Sequence, residues 1–407
     1  MSIFAFILSN ARWIVGAFLL TFFSSFGQTF FISLSAGEIR AEYGLSHGDF
    51  GLIYMVATLA SALTLPWFGK IVDRFSPAHV ALITIPMLAA GTLGMAFSTH
   101  FAALVITIYI LRLFGQAMMT QNALTATARW FVASRGRAIS IVTLGHNAGE
   151  AVIPFIFVAV AAMIGWRNTW ILGATLLVLG ALPIIYLMIS KEREPQASEI
   201  SSQPIEIRSW TRTEVMNDPM FWLLAIGIIA PSFIGTSIFF HQVYLVELRG
   251  WSLTVFASAF SVMAATTICF TLIAGVLVDK FSAKALLPFF LLPLSVSCLV
   301  LGTFEAQWSA FAFMGLMGIS YGFSSTLFGA VWPEIYGTKH LGSIRAVTVA
   351  MMVFGSAAGP GMTGWLIDIG VPYSNQIIAM AVYCLFAASV MFVASRKLIA
   401  RSDAQMA

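Results

Sequence analysis

Long apolar runs alternate with short polar stretches along this 407-residue chain. Most of the runs reach the roughly 20 residues that a helix needs to cross the hydrocarbon core of a bilayer. We therefore predict that each run forms one membrane-spanning helix. The predicted helices are 13–35, 50–68, 80–97, 101–127, 138–164, 168–189, 219–245, 253–276, 286–304, 308–331, 345–366 and 374–393. This pattern predicts an all-α membrane protein with twelve transmembrane helices.

One polar stretch between apolar runs occurs twice, once in each half of the chain. Residues 69–76 read Gly-Lys-Ile-Val-Asp-Arg-Phe-Ser, and residues 275–282 read Gly-Val-Leu-Val-Asp-Lys-Phe-Ser. A repeat of this kind indicates that the chain is built from a duplicated unit. We predict that each copy forms a tight charged loop between two membrane helices, because glycine lets two helix ends approach and the charges stay outside the hydrocarbon.

The longest polar stretch lies where the repeat divides the chain. It separates a first six-helix bundle, residues 1–190, from a second, residues 219–407, and we expect residues 191–218 to form a cytoplasmic linker. Thr211 and Glu214 have the spacing of a helix capping box, and Asp218 directly before Pro219 is typical of a helix start. We therefore predict two pseudo-symmetric six-helix bundles, joined by a linker that contains a short interfacial helix.

Composition supports a membrane protein and disfavours several classes of function. Hydrophobic residues make up 59% of the chain and charged residues only 9%, whereas about 25% of residues are charged in an average soluble domain. The net charge of +4 comes from basic residues at the ends of apolar runs, so we expect no nucleic-acid partner. No nucleotide-binding loop, metal-ligand cluster or nucleophile triad is recognisable, which disfavours an ATP-driven pump or a membrane hydrolase. We expect no catalytic residue, cofactor or metal.

Lysine and arginine residues are distributed unevenly between the two sides of the predicted helices. Nearly all of them fall on the side that carries both termini and the repeated stretch. By the positive-inside rule this side is cytoplasmic. We expect a multi-pass protein of the plasma membrane, the inner membrane of a bacterium, with both termini in the cytoplasm. One basic residue, Arg112, lies inside a predicted helix.

The repeated stretch resembles the loop between the second and third helices of each half in the major facilitator superfamily. Residues 129–138 and 210–222, which contain Arg-Trp-Phe, Arg-Gly-Arg-Ala and Asp-Pro-Met-Phe-Trp, resemble segments of its bacterial monocarboxylate-porter-like branch. The resemblance implies the major facilitator fold and an alternating-access transporter, in which the acidic residue of the loop bonds a neighbouring helix end in one state. The conformational-switch residues that it implies are Gly69, Asp73, Arg74, Gly275, Asp279 and Lys280. The simpler alternative is that the two aspartates only cap helices.

Polar side chains inside the predicted helices are candidates for binding and coupling, because such groups are costly in the hydrocarbon. The fourth helix carries Arg112, Gln121 and Asn122. We predict that Arg112 binds an anionic substrate and that the two amides are further substrate contacts. In the fifth helix, His146 and Glu150 are four residues apart and share one face. Glu150, with or without His146, is the predicted proton-coupling group, since burial favours the neutral form of a carboxyl group.

Both assignments have structural alternatives. Arg112 and Glu150 could form a static buried ion pair, and His146 could make a hydrogen bond between helices. Further candidate substrate contacts are Gln28 in the first predicted helix and, because the resemblance implies that the seventh and tenth helices line the cavity, His241 and Tyr321.

Glycines recur four residues apart at matching places in the two halves. They are Gly145 and Gly149 in the fifth predicted helix, and Gly355 and Gly359 in the eleventh. Small residues at this spacing let helices pack closely, and we favour this reading over a functional motif.

The sequence therefore predicts a secondary active transporter that works by alternating access. We expect proton-coupled transport of a small organic anion such as a monocarboxylate. The expected partners are this small-molecule substrate, protons and membrane lipid, and we expect a monomer. One alternative is an efflux carrier for amphipathic compounds of the drug/proton antiporter type, which Arg112 and Glu150 oppose. A non-transporting membrane sensor is the other alternative.

Overall fold

The computed structural model describes residues 3–131, 134–191, 193, 210–337 and 340–406, without the side chains of residues 3–5, 73, 135, 342–343 and 402–406. All regular elements within these ranges are helical. Ten helices of the described chain are long and apolar enough to cross a membrane, and a bent pair of helices makes an eleventh. A further apolar helix, Leu292–Thr303, has 12 residues. The predicted all-α membrane fold is therefore confirmed.

The chain divides into two compact units, Met1–Leu45 with Leu52–Gln203, and Ser46–Gly51 with Pro204–Ala407. The first unit holds, apart from the opening residues of α2, the helices α1 (Ala11–Gly27 with Thr29–Tyr43), α2 (His47–Phe68), α3 (Pro77–Phe97), α4 (Phe101–Trp130), α5 (Gly136–Ile164) and α6 (Trp166–Ile189). The second holds α7 (Pro219–Phe240), α8 (Leu253–Phe281), α9 (Leu292–Thr303), α10 (Trp308–Tyr336), α11 (Ile344–Asp368) and α12 (Tyr373–Arg401). The predicted boundaries at residues 190 and 219 stay a prediction, because much of the linker lies outside the described residues.

Helix α1 is broken where the apolar pattern predicts one continuous span. Ser24–Gly27 forms a 3-10 turn, Gln28 is extended with φ −84° and ψ 153°, and the two parts of α1 differ in direction by 47°. The prediction of an unbroken helix over residues 13–35 is therefore wrong at Gln28. The residues around the break, Ser24, Ser25, Gly27 and Thr29, are small or polar, but the long apolar run on either side still predicts one continuous span.

Two helices of the second unit are shorter than predicted. Helix α7 ends at Phe240, and after His241 the short helix Gln242–Arg249 continues the chain. Helix α9 begins only at Leu292, after the short helix Ala283–Leu286 and a turn. Pro293 at the second position of α9 favours a helix start there, because proline needs no amide partner in the first turn.

The two copies of the repeated stretch fold differently. In the first copy, a turn at Gly69 leads into the short helix Ile71–Arg74, and an added Cβ at Gly69 would lie 2.7 Å from the carbonyl oxygen of Leu65. A tight loop is thus confirmed there. In the second copy, α8 continues to Phe281, and an added Cβ at Gly275 would meet no atom within 4 Å. The predicted loop is wrong for this copy, because its residues form the last turns of α8.

Glycines bring the fifth apolar helix of each unit against the first. An added Cβ at Gly145 or Gly149 would overlap backbone and hydroxyl oxygens of α1, and the Thr21 hydroxyl donates a hydrogen bond to Val142 on α5 at 2.6 Å. In the second unit, an added Cβ at Gly359 would lie 2.8 Å from the carbonyl oxygen of Phe233 on α7. The expected role of these glycines in close helix packing is confirmed.

The end of the linker folds as its capping signals predict. Thr211 and Glu214 form a capping box at the start of the short helix Arg212–Met216. The Asp218 carboxylate then caps α7 by accepting a hydrogen bond from the Met220 amide at 3.1 Å. Its second oxygen accepts from Arg401 at 2.9 Å, which ties the start of α7 to the end of α12 within the second unit.

We expect Gly145→Ala to destabilise the protein by about 1–3 kcal/mol, because the added methyl group overpacks the contact between α5 and α1. Gly275→Ala is the matched control, since it adds the same group to a helix where there is room and improves helix propensity. Thermal unfolding in detergent, followed by tryptophan fluorescence, measures both. Equal unfolding temperatures for the two variants would contradict this account of the α1–α5 contact.

Candidate functional site

The break in α1 leaves backbone carbonyl groups without their usual helical partners. Because Gln28 is extended, the carbonyl oxygen of Gly27 points away from the helical ladder. It accepts a hydrogen bond from Nη1 of Arg112 at 3.2 Å. Unwound backbone inside a membrane-spanning helix is tolerated only where other groups satisfy it, and such places are frequent binding sites.

Helix α4 is also irregular where it meets this break. Leu111–Met119 forms a π-helical segment, and Arg112 lies at its start. An added Cβ at Gly115 would lie 2.6 Å from the Cα atom of Gly27, so the two backbones are in direct contact. π-Helical segments within α-helices frequently mark functional sites. Here the two irregular segments place the Arg112 side chain at the break.

Arg112 is a buried cation with neutral partners. Its side chain is 1% exposed. Besides Gly27, Nη1 contacts the hydroxyl oxygen of Thr29 at 3.3 Å, and the guanidinium carbon lies 5.2 Å from the ring centroid of Tyr54. Both hydrogen bonds are long for N–H···O bonds, and Nε is buried with no partner. Among the described residues, no carboxylate forms an ion pair with Arg112.

Tyr54 and Thr29 complete this cluster, and neither was singled out from the sequence. Their hydroxyl oxygens are 2.5 Å apart, and Tyr54 is fully buried on α2. The hydroxyl groups of Ser25 and Thr58, near in sequence to the cluster, are buried with no partner in the described structure. The sequence signal for this cluster was the presence of hydroxyl residues in apolar runs. This signal is weak, because many such residues form a hydrogen bond to the preceding turn of their own helix.

Glu150 lies on α5 and does not pair with Arg112. The carboxylate is 7% exposed and has no hydrogen bond or ion pair to any described residue. The preceding Gly149 packs against α1 at Ser25 and Phe22, immediately before the break. The alternative of a static ion pair between Arg112 and Glu150 is therefore not observed. His146 is partly buried, and the described residues provide no hydrogen-bond partner for its ring.

The structure separates the other polar residues of α4 from Arg112. The Asn122 amide donates a hydrogen bond to the carbonyl oxygen of Pro77 at 3.0 Å, and the Gln121 amide lies against Gly69 in the first loop. At 1.5 Å per residue, both side chains start roughly 14 Å further along the helix axis than Arg112. Gln121 and Asn122 thus lie apart from Arg112, and their role as substrate contacts stays a prediction. Gln28, in contrast, is partly buried at the break itself.

In the second unit, His241 and Tyr321 both bond backbone carbonyl groups. His241 follows the end of α7 and is buried, and its Nε2 donates to the carbonyl oxygen of Pro360 on α11 at 3.1 Å. The Tyr321 hydroxyl on α10 donates to the carbonyl oxygen of Pro231 at 3.2 Å. Each side chain thus joins two helices of the second unit. Their role as substrate contacts stays a prediction.

The switch residues have different surroundings in the two copies. In the first, Arg129 on α4 donates to the carbonyl oxygen of Val72 at 2.9 Å, while Arg74 is exposed. The side chain of Asp73 lies outside the described part of the chain. Asp279 and Lys280 are exposed at the end of α8.

In the second copy, a residue that the sequence did not single out supports the next helix. Glu334 on α10 accepts a hydrogen bond from the Ala283 amide at 2.9 Å and lies 3.4 Å from Nζ of Lys284. The cap that the alternative interpretation assigned to Asp279 is therefore provided by Glu334, which no repeat or motif indicates.

The apolar helices of both units, with a buried cation at a broken helix, define a multi-pass membrane protein that has a polar site within its helices. In the described residues, no group of three His, Cys, Asp or Glu side chains could hold a metal ion. The chain belongs to the Major Facilitator Superfamily, whose family model matches residues 17–267 and 232–406. It is therefore a membrane transporter, of a family that is not enzymatic.

Similar proteins include transporters with several different substrates. The probable sulfoacetate transporter SauU of Cupriavidus necator is 26% identical over 198 residues, which are 47% of this chain and 44% of that protein. This match thus spans less than half the length of that relative. The putative niacin/nicotinamide transporter NiaP of Bacillus subtilis is 22% identical over 368 residues, covering 87% of each protein.

The solved structures confirm the fold. A bacterial homologue of the human lysosomal transporter Spinster, crystallised in an inward-facing and unoccupied conformation, matches with a TM-score of 0.74 at 18% identity. The match covers 96% of this chain and 98% of that one. This similarity confirms the predicted major facilitator fold of two six-helix halves.

We expect Arg112→Met to raise the unfolding temperature by about 2–4 °C and to abolish transport, because removal of a buried charge that has neutral partners outweighs the loss of its long hydrogen bond to Gly27. Arg129→Met is the control, since it removes a hydrogen bond to the Val72 carbonyl at the first loop and should not stabilise the protein. Thermal unfolding of both purified variants measures this. A fall in unfolding temperature for Arg112→Met that Glu150→Gln reverses would instead indicate a static ion pair.

Proposed function

We propose that this transporter is a secondary carrier that moves a small organic anion together with protons by alternating access. The observation that carries the proposal is the buried guanidinium of Arg112, whose described partners are all neutral. A charge in a low-dielectric interior is unfavourable unless an opposite charge accompanies it. An anionic substrate that binds at the break in α1 would supply this charge.

The free edge of the guanidinium suits a carboxylate. Nη1 of Arg112 is occupied by Gly27 and Thr29, whereas Nε and Nη2 have no hydrogen bond to a described residue. A carboxylate can accept two parallel hydrogen bonds from Nε and Nη2 of one arginine. We infer that the substrate carboxylate binds this edge, with the side-chain amide of Gln28 as a further contact at the break.

The relatives give partial support to an anionic substrate. Sulfoacetate, which names the probable substrate of one relative, carries a sulfonate and a carboxylate group. The second relative is named for niacin, which is an acid, and for nicotinamide, which is a neutral amide. We propose a small carboxylate for this chain on the strength of Arg112, and a monocarboxylate-porter-like branch remains part of this proposal.

Glu150 is the proposed proton carrier. It is the buried carboxyl group of α5, its described surroundings provide neither a cation nor a hydrogen bond, and Gly149 beside it packs against α1 next to the break. A carboxyl group in such a setting is stable when protonated and costly when charged. We propose that Glu150 takes up a proton when the anion binds Arg112. The charge of the anion is then balanced by Arg112, and the charge of the proton is balanced by the Glu150 carboxylate. His146, one turn earlier, is proposed as an assisting group.

Conformational switching is proposed to involve the first loop. Arg129 holds the Val72 carbonyl in this loop, and we propose that Gly69, Asp73 and Arg74 rearrange there between states. In the second half, Gly275, Asp279 and Lys280 would move with the end of α8 as one rigid element. We further propose a monomer of the bacterial inner membrane with both termini in the cytoplasm.

Uptake into proteoliposomes with an imposed pH gradient tests the anion proposal. We expect saturable uptake of at least one member of a panel of labelled carboxylates, among them sulfoacetate, nicotinate and short 2-hydroxy acids. Arg112→Lys should raise the apparent KM at least tenfold, because lysine keeps the charge and loses the two-bond geometry. Arg112→Ala should abolish uptake.

Arg129→Lys is the matched control for this experiment, because it changes an arginine of the same helix that bonds the first loop. It should leave the apparent KM within about twofold of the wild-type value. Wild-type affinity in Arg112→Ala, or preferential uptake of neutral compounds such as nicotinamide by the wild type, would contradict the anion-binding role.

We expect Glu150→Gln to abolish accumulation driven by a pH gradient and to retain substrate exchange. Glutamine keeps the shape and hydrogen bonding of the protonated acid but cannot release a proton. Counterflow with equal internal and external pH measures exchange, and uptake under an inward proton gradient measures accumulation. If the glutamine variant still concentrates substrate under the same gradient, another group carries the proton.

A further inference from the structure

Tyr54 on α2 lies beside the buried guanidinium of Arg112. The guanidinium carbon lies over the tyrosine ring, 5.2 Å from the ring centroid. Both side chains are almost completely buried, with exposed fractions of 0% for Tyr54 and 1% for Arg112. A cation over an aromatic face within about 6 Å is attracted electrostatically, and the attraction is strongest when the pair is desolvated. The ring is therefore a stabilising partner of the arginine charge.

The tyrosine hydroxyl ties this ring to the break in α1. Its oxygen lies 2.5 Å from the hydroxyl oxygen of Thr29, which in turn accepts a hydrogen bond from Nη1 of Arg112 at 3.3 Å. Thr29 directly follows the extended residue Gln28. All of these residues belong to the first unit. The ring, the hydroxyl groups and the guanidinium thus form one connected cluster.

The ring stabilises the charge differently from a carboxylate. A carboxylate of the protein would accept hydrogen bonds from the guanidinium and would compete directly with an anionic substrate for the same donors. The described structure shows no such carboxylate, and the two printed hydrogen bonds from Nη1 go to Gly27 and Thr29. An aromatic ring attracts the same charge through its π-face. It therefore lowers the cost of the buried cation and leaves other donors to a substrate.

The attraction between ring and guanidinium depends on whether an anion is bound. In the empty site the ring faces a full positive charge, whereas a bound carboxylate and Arg112 together form a neutral pair. The ring thus stabilises the empty state more than the occupied state. An interaction of this kind weakens binding by the difference between its contributions to the two states.

We propose that the ring of Tyr54 is the partner of Arg112 in the empty transporter, and that it keeps the affinity for a carboxylate low enough for release. This inference rests on the proposed binding of an anionic substrate at Arg112. An isolated buried charge would hold an anion tightly, because binding would relieve the whole cost of that charge. The ring offsets part of this cost before the anion arrives, so the anion leaves more readily.

The second half of the chain offers a matched control position. The repeat relates Tyr54 of α2 to Phe260 of α8, because positions 54 and 260 are separated by the same distance as positions 69 and 275. Phe260 is also 0% exposed, and its ring packs against those of Phe239 and Phe256 at centroid distances of 5.0 and 6.1 Å. Phe260→Leu therefore removes a buried ring of similar size from a contact between aromatic side chains.

A double-mutant cycle on the full-length protein tests the contact between ring and guanidinium without any anion. Tyr54→Leu should lower the unfolding temperature by about 2–4 °C more in the wild-type background than in the Arg112→Met background, because only the former contains the cation. Phe260→Leu should lower it equally in both backgrounds. Thermal unfolding in detergent, followed by tryptophan fluorescence, measures all variants.

Uptake kinetics in proteoliposomes test the effect on affinity. The probe is whichever of labelled sulfoacetate, nicotinate and lactate the wild type takes up fastest. Tyr54→Leu should lower the apparent KM at least roughly threefold and also lower the maximal rate, because the anion binds more tightly and leaves more slowly. Tyr54→Phe keeps the ring and should restore both values to within about twofold of the wild type. Phe260→Leu should leave the KM unchanged.

Three results would overturn the inference, and they separate it from the anion proposal. Equal destabilisation by Tyr54→Leu in both backgrounds would show that the ring contributes packing alone, and the anion proposal would stand. A higher KM in Tyr54→Leu would show that the ring positions Arg112 for binding, which is the opposite of the expected effect. If the wild type takes up none of the three probes, the anion proposal fails and this inference fails with it.

Discussion

The break in α1 meets the buried arginine of α4, and the geometry of the polar site in the first unit depends on this contact. Inside a bilayer, a carbonyl group that leaves the helical ladder finds no water to bond, so protein must supply the donor. Arg112 supplies it to Gly27, and the exposed carbonyl in return provides a polar neighbour for a charge that hydrocarbon would exclude. Gly115 and Gly149 allow α4 and α5 to approach the break closely enough for this contact to form.

The two units share their packing and differ in their chemistry. In both, glycines bring the fifth helix against the first. A cleft lined by the first, fifth and sixth helices opens in each unit. The first unit contains the buried Arg112 and Glu150, which have no ion-pair partner among the described residues. In the second unit, His241 and Tyr321 bond backbone carbonyls, and the buried Asp218 pairs with Arg401. Duplication thus preserved the close contacts, which tolerate little change, while polar side chains elsewhere diverged.

Sequence patterns predicted the apolar helices, the glycine contacts, the capping box and the position of Arg112 inside an apolar helix, because each depends on local spacing or on the rarity of charge in an apolar run. The break at Gln28, the contact of Arg112 with Tyr54 and the cap provided by Glu334 were not predictable in this way. The last two join residues that are distant in the chain, and the break lies against the backbone of α4 at Gly115. Hydrophobic periodicity does not predict which backbone carbonyl a polar side chain will bond when several similar carbonyls are near.

The continuous end of α8 has a practical consequence for spectroscopy. A residue at position 275 has open space around its Cβ position and is part of a helix of 29 residues that begins at Leu253. A nitroxide attached there would report displacement of the whole helix, because no flexible turn separates the label from the span. At Gly69, the equivalent place in the first half, Leu65 and Gln121 leave no room for a label. Electron paramagnetic resonance distances between pseudo-equivalent positions would therefore be misleading for this pair, since only one of them is a rigid reference point.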